Sequence, residues 1–149
     1  MPHVSIARIV WTLAIVLISG AALWRGGRAE RVIALANLGA WGASLLLENR
    51  TNWLDPQWGV LLVDIAFLAV LLAFALRNAA TWLLFAAAFQ LLSVVTHVAI
   101  MVDGGVRARA YFQGLAIWSY LVLFSLGFGA WARWRQPQAD ADTAAPARR

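Results

Sequence analysis

From Thr81 to Val102 the chain carries no Asp, Glu, Lys or Arg, and from Trp58 to Leu76 it carries a single one, Asp64. Such runs match the roughly 20 residues a helix needs to cross a hydrocarbon layer about 30 Å thick. In that layer the backbone must satisfy its own hydrogen bonds, which restricts a spanning chain to helices or a closed barrel. The runs are too long and too evenly apolar for barrel strands, which alternate. The chain is therefore predicted to be all-α and to fold in lipid. Composition agrees: 13% of the 149 residues are charged and the mean hydropathy is +0.72, whereas soluble domains carry roughly 25% charged residues.

Three further apolar stretches bring the expected number of transmembrane helices to five, at about 4–24, 32–48, 58–77, 81–102 and 111–133. They form one transmembrane domain over 1–135. The first includes Arg8, which can reach outward to the interface. A cleaved signal peptide is the rival reading there, because Ser19-Gly20-Ala21-Ala22 supplies small residues. Arg25, Arg28 and Arg31 follow at once, however, and such a cluster resists translocation. Asp55-Pro56 marks a turn before the third helix, and Asp103-Gly104-Gly105 breaks the chain before the fifth. The tail, 136–149, has no large apolar residue and is expected to be a disordered cytoplasmic segment.

Orientation follows from the arginines. With the N-terminus outside, Arg25, Arg28, Arg31, Arg77, Arg133, Arg135, Arg148 and Arg149 are cytoplasmic, eight in number, against four outside: Arg8, Arg50, Arg107 and Arg109. This bias favours N-terminus outside and C-terminus inside. All twelve basic residues are arginine, which together with the abundant alanine reads as a GC-rich bacterial genome and an inner (plasma) membrane protein. The net charge of +5 is spread over the ends of apolar runs. That distribution fits anionic lipid headgroups and not nucleic acid. Six of the nine tryptophans, Trp24, Trp53, Trp58, Trp82, Trp131 and Trp134, fall near expected interfaces, where an amphipathic indole is most stable.

Two features could carry function. The first is small-residue spacing. Ala36, Ala40 and Ser44 repeat every four residues in the second helix, as do Gly39 and Ala43, and Ser125 and Gly129 form a pair in the fifth. Such faces let helices approach closely, either within the bundle or against another subunit or a second copy. An alanine-rich chain also produces these spacings by chance.

The second is a polar constellation. Asp64 lies about 9 Å into the third helix from its outer end, and His97 about 9 Å into the fourth from the same side. A hairpin thus brings them to one depth. Gln90, Ser93 and His97 share a helical face. Arg8 could serve as counter-ion to Asp64, and Glu48, Tyr111 and Trp118 are near the same level. Ionisable groups inside a span are first candidates for function because they are costly there. The constellation reads as an outer-facing pocket handling protons or a polar ligand, as a pair that only fixes helix register, or as a contact to another protein. Asn37 and Tyr120 read as interhelical hydrogen-bonding residues.

No cysteine is present, which excludes disulfides and thiolate chemistry. No phosphate loop, nucleophile elbow or HExxH occurs. A haem held by His3 and His97, or a metal on His97, Asp64 and Glu48, lacks supporting ligand spacing, so no cofactor or metal is expected. Three functions remain open. The leading one is a non-catalytic accessory or structural membrane component. The others are an oligomeric transporter or proton-coupled sensor, and a membrane enzyme acting on a lipid or quinone.

Overall fold

The computed structural model describes residues 6–48, 57–78, 80–102 and 108–144, with side-chain surroundings at 9–48, 57–78, 80–102 and 110–135. The described residues form five helices: α1 (Ile6–Arg25), α2 (Arg28–Leu47), α3 (Trp58–Ala75), α4 (Thr81–Val102) and α5 (Ala108–Ala144). Three are long and apolar enough to cross a membrane, over Trp58–Ala75, Thr81–Val102 and Ala110–Arg135, and α1 adds a shorter apolar stretch, Ile9–Arg25. The 20-residue α2 begins four residues before its expected start at 32 and so takes Arg28, Glu30 and Arg31 into its first turn. Those charges interrupt an apolar run but not a helix. Glu30 at the N-terminal end is also favourable to the helix dipole.

Helix α5 passes its expected end near 133, and its backbone is helical through Ala144. The expectation for the tail rested on the absence of core-forming residues. The continuation includes Pro137, which donates no backbone N–H, so helix propensity does not explain it. Residues 145–149 and the expected connections at 49–56 and 103–107 lie outside the described residues.

Local signals end the helices. Gly26 donates its N–H to the Ala22 carbonyl at 2.9 Å, and Gly27 is the N-cap of α2. At the end of α3 the Asn78 backbone N–H and side-chain Nδ2 both donate to the Phe74 carbonyl, at 2.9 and 2.8 Å, supplying a partner to an orphan acceptor.

Each helix packs on its neighbours in the chain, α5 closes back on α1, and α2 touches α5 across the middle. The bundle is therefore a ring of five. Its apolar core lies in the half nearest the Gly26-Gly27 and 76–80 turns, where Ala22, Ile33, Phe67, Leu71, Leu83 and Leu126 belong to one buried cluster. Trp82 lies against Gly129, where a Cβ would come within 2.6 Å of the indole. The outer surface is hydrocarbon as well: Leu62 is 66% exposed and Phe124 70%. A ring greasy inside and out suits lipid and not water.

Candidate functional site

The half of the bundle away from the apolar core holds the polar residues. Helix α4 turns Gln90, Ser93 and His97 inward, and they are 5%, 3% and 0% exposed. All three meet Asp64 of α3. Ser93 Oγ donates to Asp64 Oδ2 at 2.8 Å, Gln90 Nε2 donates to the Asp64 backbone carbonyl at 3.3 Å, and His97 Nε2 lies 3.2 Å from Asp64 Oδ2. This last pair is at ion-pair distance but lacks hydrogen-bond alignment, and His97 Nε2 has no other partner.

The other ring nitrogen is engaged. Tyr111, near the start of α5, places its hydroxyl 2.7 Å from His97 Nδ1, with the two rings edge to face at 5.4 Å between centroids. With Asp64 ionised, Nε2 must carry a proton to face it favourably. Nδ1 then either accepts from the Tyr111 hydroxyl, in the neutral ring, or donates to it, in the imidazolium. Tyr111, His97, Asp64 and Ser93 thus lie in a row across α5, α4 and α3, hydrogen-bonded at its two ends and at ion-pair distance in the middle.

Two cavities flank this row. A central one of about 370 Å³ is lined from all five helices: Trp11 and Ile15 of α1, Asn37, Ala40, Trp41 and Ser44 of α2, Val60, Asp64 and Phe67 of α3, Gln90 and Ser93 of α4, and Leu115, Ala116, Ser119, Tyr120 and Val122 of α5. A smaller one of about 180 Å³ is lined by His97, Tyr111, Glu48, Gln57 and Phe112 among others. Trp41, Ser44, Val60 and Leu115 line both. The His97–Asp64 contact thus falls at the partition, with the imidazole on one side and the carboxylate on the other.

Other polar groups occupy the same half. Asn37 lines the central cavity, and its Nδ2 is buried with no hydrogen-bond partner. Trp11 and Tyr120 meet edge to face at 4.5 Å, forming an aromatic wall. Trp118 Nε1 donates to Thr96 Oγ1 at 3.0 Å, and Thr96 in turn donates to the Leu92 carbonyl at 2.7 Å, tying α5 to α4.

The structure thus gathers Asp64, His97, Ser93, Gln90 and Tyr111 into one network and puts Glu48 on the second cavity. The Arg8 side chain lies outside the described residues. Among the small residues, Ala36 and Ala40 pack against the core, Ser44 lines both cavities, Gly129 receives Trp82, and Ser125 is buried with its hydroxyl on the Leu121 carbonyl. Gly39 is exposed and Ala43 partly so. Sequence reasoning missed Trp11, Trp41, Ser119 and Thr96 as parts of this region. Single polar or aromatic residues carry no spacing signal, and only helix rotation decides where they point. No protein-family model matches the chain, and no curated protein or solved structure matches it either.

Proposed function

We propose that the chain is a multi-pass bacterial inner-membrane protein that crosses the bilayer five times, N-terminus outside and C-terminus in the cytoplasm. Its bundle binds a small polar-headed molecule in the central cavity. The carrying observation is that all five helices converge on one cavity whose polar wall includes a carboxylate only 18% exposed. At about 370 Å³ it falls within the roughly 300–1,000 Å³ of ligand pockets. Asp64 offers an acceptor to the ligand and Asn37 a donor, while Trp11, Trp41 and Tyr120 supply flat apolar walls. His97 sits behind Asp64 at ion-pair distance, where its imidazolium form would balance the carboxylate's charge, and Tyr111 holds the far ring nitrogen. This is the chemistry of a proton-coupled sensor or of one protomer of a transporter.

The test is purification of the full chain from native membranes in mild detergent, followed by mass spectrometry of what comes with it. One small molecule is expected to accompany the wild-type protein and to be lost from both Asp64→Asn and Ala116→Leu, the second of which fills the cavity without touching the polar chain. A wild-type protein that emerges bare, or a passenger that survives both changes, would rule the reading out.

A non-catalytic accessory component packing on other helices is the second reading. It is favoured by Gly39 and Gly42 of α2, where an added Cβ would meet nothing within 4 Å and a further membrane helix could approach the backbone closely. Its mark would be a second protein that co-purifies with the wild-type chain and is lost from Gly39→Leu.

A further inference from the structure

A ring of five helices that alternate in direction leaves one neighbouring pair parallel. That pair is α1 and α5, which meet as the ring closes. Their register is fixed at two points. A Cβ on Gly127 would lie 3.3 Å from Ile18 Cγ2, and the Arg25 guanidinium lies 4.8 Å from the centre of the Trp134 ring. The step from Ile18 to Arg25 equals that from Gly127 to Trp134, about two turns on each helix. Two parallel helices therefore run side by side from an apolar middle to a basic, aromatic end.

Between them lies an apolar groove of about 410 Å³ lined by Ile18, Phe124, Gly127, Phe128 and Trp131. At Gly127 the two helices approach closely, with Ile18 filling the space a side chain would take, and Phe124, Phe128 and Trp131 wall the groove beside that contact. Its end carries held cations: Arg25 lies between Trp24 and Trp134, at 4.9 and 4.8 Å, and Arg135 lies 4.4 Å from the centre of the Trp131 ring. Trp131 is also the last wall of the groove, so the apolar channel and the charged rim are continuous. Arg28, Arg31 and Arg133 are at the same end. Glu30 at this end is buried, and its carboxylate and the Arg133 guanidinium both lie beside Gly27; Asp140 and Asp142 follow further along α5.

The indole faces attract the guanidinium groups through cation–π contact. An apolar groove that runs into a cationic rim matches an anionic lipid in shape and charge. We propose that the α1–α5 groove binds one anionic glycerophospholipid, with an acyl chain against Gly127 and the phosphate at the Arg25 and Arg135 rim. The site is separate from the central cavity and does not depend on that cavity's ligand.

The test uses the purified full chain in a neutral detergent, with bound lipid read by native mass spectrometry. Phosphatidylglycerol, phosphatidylcholine with the same acyl chains, and glycerol phosphate as the bare headgroup are added in turn. Phosphatidylglycerol is expected to bind about tenfold or more tighter than phosphatidylcholine, since each arginine near a headgroup favours the anion several-fold. Glycerol phosphate should not compete at equal concentration. The double change Arg25→Gln and Arg135→Gln should abolish the preference for phosphatidylglycerol, whereas Arg77→Gln, on the turn after α3, should leave it intact. Gly127→Leu should weaken both lipids. Equal binding of the two lipids, competition by glycerol phosphate, or an equal loss on Arg77→Gln would overturn the proposal. The arginine variants are on the surface and keep the test valid if Gly127→Leu fails to fold.

Discussion

Asp64 is tolerable in an otherwise apolar helix because the Ser93 hydroxyl donates to Oδ2, His97 lies beside the same oxygen, and the remaining exposure opens into a cavity, while the Gln90 amide takes its backbone carbonyl. Tyr111→Phe removes one hydroxyl and leaves His97 Nδ1 buried without a partner, which is expected to lower stability by about 1–3 kcal/mol. Thermal denaturation in detergent measures it, and an unchanged midpoint would show that the 2.7 Å contact contributes nothing. Gly129→Ala tests packing. Its new Cβ would meet the Trp82 ring at 2.6 Å, so a loss of about 1–3 kcal/mol is expected from overpacking. Gly39→Ala, whose Cβ meets nothing within 4 Å, should be neutral or stabilising through helix propensity.

At the scale of elements, the hairpin of α3 and α4 is the unit that assembles the polar network. Counting residues from the helix ends sets the depth of Asp64 and His97, because the 76–80 turn is too short to allow slippage. The face that α3 presents is another matter. This helix is apolar all round except at Asp64, so its sequence pattern gives no orientation, and the Gln90–Ser93–His97 face of α4 supplies the reason Asp64 turns inward. Asp64→Asn and His97→Ala are therefore expected to couple: the double variant should be less destabilised than the sum of the singles by about 0.5–3 kcal/mol. Additive losses would mean that the pair acts as two independent residues. The Arg8 placement suggested by depth alone rests on a side chain outside the described residues, and Tyr111 fills the role of second partner to His97.

For the whole molecule, closure of the ring between α1 and α5 decides both the central cavity and the outward groove. The proposed five crossings would put the two termini on opposite sides of the membrane. Reporter fusions at the N- and C-termini, each active on one side only, are expected to report opposite compartments, with the C-terminal fusion cytoplasmic. Reporters on the same side would require an even number of crossings and remove either α1 or α2 from the membrane.

What the sequence determined by itself is local and depth-dependent. Apolar runs the length of a bilayer become helices because lipid offers their backbone no other partner, and Gly26-Gly27 and the residues around Asn78 end them by local bonding. The depths of polar residues along each helix follow at once from a fixed rise per residue. What only the tertiary structure decided is azimuthal: which side of each helix faces which neighbour. That angle sets Trp82 on Gly129, Trp118 on Thr96, Tyr111 on His97 and Arg25 between two tryptophans. In water the hydrophobic stripe of a helix would announce its inner face, but in lipid both faces are greasy. Close packing and a handful of hydrogen bonds choose between them, and those are properties of all five helices together.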